Sequence, residues 1–152
     1  MTHNERVENF LKARNLTIET AFALPVEERA ALDAQFRAEK RAEQMARIEG
    51  STKISRPTLR KFFTIGQEIT LVYAAGSDCE KKRTVLEHKS YGYEMQTPDG
   101  RKSSLRHETG ETILLLPGRA ANGAITPDII TILDKDGIFV VQYTIEHEEA
   151  VR

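Results

Sequence analysis

The chain has 152 residues, of which 39% are hydrophobic and 30% charged, a globular composition that excludes a disordered or fibrous protein. Its formal net charge of −1 excludes the broad basic field of a general nucleic-acid binder. The single cysteine excludes an internal disulfide, and no apolar run approaches the ~20 residues of a transmembrane helix.

The N-terminal residues lack the apolar run of a secretory signal, so a cytoplasmic location without membrane association is expected. The Asn15-Leu16-Thr17 sequon is then without consequence. The first element is a short helix over 4–14, where Val7, Phe10 and Leu11 share a face at i, i+3, i+4. The stretch that follows adds a turn of helix, with Leu16, Ile18, Phe22 and Leu24 as further apolar surface.

A long helix is predicted over 25–49. Pro25 suits a first helical position, Glu27 and Glu28 suit the positive end of the dipole, and Gly50 suits the C-terminal cap. Asp33 with Arg37 and Glu43 with Arg47 are i,i+4 pairs in the favourable order. Leu32 and Phe36 form a ridge expected to pack on Phe10 and Leu11 as a helical hairpin. A second seam of Ala31, Ala34, Ala38, Met45 and Ile48, interrupted by Arg41, follows heptad spacing. It is a candidate homo-oligomer contact, weighed against packing within the chain. The face bearing Arg29, Arg37, Lys40 and Arg47 reads as solvated surface.

Residues 51–61 read as a basic linker because Pro57 interrupts helix continuation. Beyond Phe62 and Phe63, alternating β-branched and aromatic residues predict seven strands, near 67–75, 82–89, 91–97, 101–106, 111–116, 128–133 and 138–146. Asp99-Gly100 and Asp136-Gly137 mark two hairpin turns. The expected organisation is a helical arm (1–50), the linker (51–61), an antiparallel β domain (62–146) and an acidic tail (147–152). The fold class is thus α+β, a helical hairpin or arm followed by a small antiparallel barrel or sandwich. In strand count and size alone it resembles the small SH3-like barrels, a likeness that carries no function.

The motifs of nucleotide hydrolases, zincins, structural zinc sites and α/β-hydrolases are absent, so no metal and no cofactor is expected. Asp134-Lys135-Asp136-Gly137 opens like a calcium loop but lacks the later acidic ligands, and a hairpin explains it better. His147 among Glu146, Glu148 and Glu149 reads as solvated terminus. Cys79 has Asp78 and Glu80 opposing the basic Lys81 to Arg83 and reads as an exposed loop thiol. His88 and His107, with Ser103, Ser104 and Asp99 near in sequence, read as polar surface rather than a triad.

One constellation gains from strand order. A meander of the second, third and fourth predicted strands gathers Lys81, Lys82, Arg83, Arg101, Lys102 and Ser103 at one end of the sheet, the groups that hold phosphate or carboxylate oxygens. Tyr91 and Tyr93 are candidate stacking residues if they face outward. Candidate partner contacts are Arg56, Arg60 and Lys61 in the linker and Arg119 in the loop 117–127.

The expected function is non-catalytic capture of an anionic ligand, meaning nucleic acid, a nucleotide or an acidic protein face. The alternative is a protein-directed adaptor or inhibitor, of the kind found among bacterial or phage accessory proteins, acting through the long helix and the 117–127 loop. A third reading is an enzyme whose site assembles only in three dimensions.

Overall fold

The computed structural model describes residues 2–118 and 125–146, in two compact units, Met1–Glu49 and Gly50–Arg152. The acidic tail and Arg119 lie outside the described residues.

The first unit holds three helices, α1 (His3–Lys12), α2 (Ile18–Phe22) and α3 (Val26–Arg47). Thr2 and Thr17 cap the first two through reciprocal bonds with Glu5 and Thr20. Asn15, with φ at 58°, turns the chain between them in a conformation that asparagine tolerates. Polar and aromatic contacts join α1 to α3. Arg6 pairs with Glu43, and Arg14 reaches Glu39 at 3.2 Å while its guanidinium lies 3.6 Å above the Phe10 ring. Phe10 meets Phe36 edge-on at 5.3 Å. The expected packing of Phe10 against the Leu32–Phe36 ridge is thus present in its Phe36 part.

The second unit begins with β1 (Thr52–Ile54) and α4 (Arg56–Phe62), so the segment 51–61 is folded and does not act as a linker. Ser55 caps α4 by accepting from the Thr58 amide, and Pro57 sits in the first turn. Proline there starts a helix because its missing N–H has no intrahelical partner to lose. Seven more strands follow: β2 (Glu68–Ala74), β3 (Ser77–Lys89), β4 (Gly92–Gln96), β5 (Lys102–Arg106), β6 (Thr112–Leu116), β7 (Asp128–Leu133) and β8 (Phe139–Ile145).

All pairings are antiparallel, in the order β1-β6-β7-β8-β2-β3-β4-β5. The sheet therefore has eight strands where seven were expected, β1 being the addition. It is not closed, since β1 and β5 remain edges, and the barrel expectation is not met. Both edges are blunted, β1 by its three-residue length and β5 by Lys102 and Arg106.

One face of the sheet carries the core. Ile69, Leu71, Val85, Tyr93, Met95, Ile113, Ile130, Ile132 and Tyr143 cluster with Leu59 and Phe63, which come from α4 and the residue that ends it. Phe63 stands edge-on to Tyr93 at 4.9 Å and to Tyr143 at 5.4 Å. Full burial of a side chain of this size is worth about 1.5–3 kcal/mol. Gly92 is obligatory where β4 starts: its φ is 146°, and a Cβ would lie 2.0 Å from the Leu105 carbonyl oxygen. Among the described residues no helix is long and apolar enough to cross a membrane.

Candidate functional site

The meander exists as expected, but the strand period divides the basic end between two faces. Directly paired antiparallel residues point to the same side of a sheet. Lys81 pairs with Leu71, Arg83 with Ile69, and Ser103 with Met95, so these three share the core-bearing face. Lys82 pairs with Thr70 and Lys102 with Gln96 on the opposite face, and Arg101 lies in the turn. β3 also starts at Ser77, so Lys81 to Arg83 stand beyond the β4–β5 hairpin, paired only with β2.

Carboxylates face most of these cations. Lys102 lies 3.0 Å from Glu94, Arg101 2.8 Å from Asp99 and Lys82 3.9 Å from Glu68. Arg83 donates to the Lys82 carbonyl, and neither it nor Lys81 has an ion pair among the described residues. An open cleft of about 810 Å³ next to β2 brings Lys61 and Lys82 together with Glu68, Asp128 and Glu146. Its charge is mixed in sign.

Tyr93 is fully buried, which removes it from any stacking surface. Tyr91 is half-buried, with the Arg106 guanidinium 4.2 Å from its ring centroid. Cys79 lies in β3 rather than a loop, its thiol 3.5 Å from the Leu71 carbonyl. Burial pushes that thiol up, against the opposing pull of Lys81 and Arg83, which is the reverse of what a reactive cysteine needs.

The two histidines act inside the fold. His107 Nδ1 is 2.7 Å from Glu111, which Arg56 also reaches at 3.1 Å, and His88 Nε2 is 2.6 Å from the Phe63 carbonyl. Arg60 donates to the Lys89 carbonyl. These bonds tie α4 and the β5–β6 connection to the sheet. Asp99 turns instead to Thr97 and Arg101, so the Ser-His-Asp grouping does not form through it. Burial of the Tyr93 hydroxyl, which has no hydrogen-bond partner among the described residues, pushes its pKa up to about 12. Asp134 closes its own turn by accepting from the Asp136 and Ile138 amides at 2.8 and 3.0 Å, as the hairpin reading requires. Among the described residues no group of three or more metal-ligating side chains occurs.

The first unit presents a different surface. α1, α2 and α3 enclose an open groove of about 390 Å³ whose apolar lining includes Val7, Phe10, Ile18, Phe22, Leu32 and Phe36. Phe22 is 70% exposed, and Val26, one turn further along the chain, 71%. Within the groove Asp33 is paired with Arg37 at 2.9 Å. Arg29 also lines it; its Nε is buried without a hydrogen-bond partner, and it forms no ion pair among the described residues. Along the expected seam Ala31, Ala34, Ala38 and Met45 are exposed, whereas Ile48 is buried.

No family model, curated protein or solved structure matches the chain. Sequence reasoning passed over Phe22, Val26 and Arg29 as a site. The available signal was the pair Ile18 and Phe22 at four-residue spacing, one apolar face on a five-residue helix.

Proposed function

We propose that this chain is a non-catalytic, protein-directed binding module whose contact surface is the apolar groove of the helical unit. The observation that carries this reading is the groove itself, with Ile18 and Phe22 of its lining held in solvent. Leaving such side chains exposed forgoes about 1.5–3 kcal/mol each. Contiguous exposed apolar surface of this kind marks interaction sites, and a groove between helices suits the apolar stripe of an amphipathic helix. The buried Glu111–His107 contact and the raised Cys79 thiol suit anchoring rather than catalysis. The carboxylates opposite Lys82, Arg101 and Lys102 weigh against polyanion capture.

The test is selection from a displayed library of amphipathic helical peptides, with the full chain as bait. Binders should carry apolar residues at i, i+3, i+4 and i+7 and should be lost on a Phe22→Glu variant of unchanged circular dichroism. A library that yields no binder, or binders indifferent to Phe22→Glu, removes the reading.

A further inference from the structure

We infer that the groove selects a partner helix bearing a carboxylate beside its apolar stripe, and that Arg29 is the residue that reads it. This rests on the groove being a protein-docking surface, as proposed above. The charges lining the groove are unevenly paired. Its carboxylate, Asp33, is engaged by Arg37, one turn along α3 and 2.9 Å away. Arg29 lies one turn before Asp33 and has no such partner among the described residues, and its Nε is shut off from water without a hydrogen bond to any of them. The desolvation is confined to Nε; the side chain is otherwise partly exposed, so its terminal nitrogens are the ones a partner can reach, and they carry a charge that no carboxylate among the described residues offsets.

A cation without an ion-pair partner at the margin of a largely apolar groove is a specificity device. A partner without an acceptor there would bury the guanidinium further and leave it unpaired, whereas a partner with a carboxylate supplies a charge-assisted, fork-shaped pairing. Docking of Ile18, Phe22 and Phe36 against the partner's stripe would exclude water around that contact and strengthen it. Lysine on the partner at the same place would face like charge. The groove therefore fits an acidic amphipathic helix, not a basic one.

The experiment uses synthetic helical peptides with one apolar stripe and a single flanking Glu, placed at successive positions, each paired with its Gln counterpart and its Lys counterpart. Affinity for the full chain is measured by fluorescence anisotropy. At one flanking position the Glu peptide should bind at least about tenfold more tightly than its Gln twin, and the Lys peptide should be weakest. In an Arg29→Gln chain the Glu and Gln peptides should bind alike, while Arg29→Lys should keep part of the preference; circular dichroism confirms that both variants are folded. Equal binding of Glu, Gln and Lys peptides to the wild type overturns the carboxylate assignment and leaves the docking reading standing. Failure of every peptide to bind removes both. Sedimentation showing self-association that Phe22→Glu abolishes would assign the groove to a second copy of the chain and overturn the inference.

Discussion

The two units spend their apolar residues differently. In the β unit Ile65, Ile125, Ile138 and Val140 are exposed, but most large apolar side chains converge on one sheet face, where Leu59, Phe63, Val85, Tyr93 and Ile130 are fully buried. In the helical unit, among the described residues, only Leu11 and Ile48 are buried apolar side chains, while Ile18, Phe22, Val26 and Met45 stand exposed. A sheet with one apolar face can satisfy itself by curling and by accepting a helix, as α4 shows. Three short or slender helices cannot enclose a comparable core, because an isolated amphipathic helix gains most of its stability from what it packs against. Under the proposed docking reading, the contrast corresponds to stability in one unit and recognition in the other.

The same substitution in both units is the strongest way to break that comparison. Phe63→Ala removes a fully buried ring from between Tyr93 and Tyr143 and should cost about 3–5 kcal/mol. Phe22→Ala, at a site 70% exposed, should stay within about 0.5 kcal/mol. Urea unfolding reads the first by tyrosine fluorescence and the second by circular dichroism. All four tyrosines, at 73, 91, 93 and 143, belong to the β unit, and there is no tryptophan. Similar losses at the two sites would mean that the helical unit has a core of its own and that Phe22 belongs to it.

Alkaline pH sharpens the comparison through the same tyrosines. Burial pushes Tyr93 and Tyr143 up to about 12, above the usual value near 10 of an unfolded tyrosine. A folded state that keeps the proton more tightly has its full stability below pH about 10 and loses it as pH rises through about 12. Two pH units correspond to on the order of 2–3 kcal/mol for each group. Denaturation midpoints should therefore fall from pH about 10 upward, and a Tyr93→Phe, Tyr143→Phe chain should show a shallower fall. An identical fall in the double variant would place the alkaline sensitivity elsewhere.

These contrasts also show where the sequence was transparent. The strands from β4 onward, and the turns at Asp99-Gly100 and Asp136-Gly137, were readable because alternation and turn chemistry agree there. The long helix was readable from its caps and period. α4 was not: Arg56, Arg60 and Lys61 gave the segment a linker's composition, and Pro57 read as a break although it serves as a start. The start of β3 was missed because Ser77 to Lys81 is mostly polar, yet its backbone bonds with β2 are indifferent to that. The anion site was drawn from proximity along the chain without applying the two-residue alternation to Lys81, Lys82 and Arg83. The groove was only partly legible: Ile18 and Phe22 mark an apolar face of α2, but what α1 and α3 leave uncovered beside it is not encoded in any local pattern.

A smaller effect is expected at the cap of α2. Thr17 accepts from the Thr20 amide, and the Thr20 hydroxyl accepts in turn from the Thr17 amide at 2.8 Å. A five-residue helix has little else to hold its ends, so Thr17→Ala should cost about 1 kcal/mol locally. Hydrogen exchange should quicken across α2 and stay unchanged in β2 to β8, and peptide binding to the groove should weaken with it. Uniform quickening in both units would show that they do not open separately.

The smallest expected effect is at the basic hairpin, and it decides between the two binding readings. Arg101 and Asp99 are both well exposed, and an ion pair in such a setting contributes little. Arg101→Ala should leave the urea midpoint unchanged within error. Polyanion binding gives the sharper reading, because each phosphate neutralised adds about 0.7–0.9 to the slope of log affinity against log salt. Five acting cations, Lys81, Lys82, Arg83, Arg101 and Lys102, would give a slope of about −3.5 to −4.5. With Lys82, Arg101 and Lys102 occupied by Glu68, Asp99 and Glu94, only Lys81 and Arg83 are available, for a slope of about −1.4 to −1.8. Titration of a single-stranded oligonucleotide across a salt series should therefore show weak, shallow binding that Arg101→Ala does not change. A steep slope that flattens in Arg101→Ala would mean that phosphate displaces these carboxylates, and the sheet end would then replace the groove as the chain's binding surface.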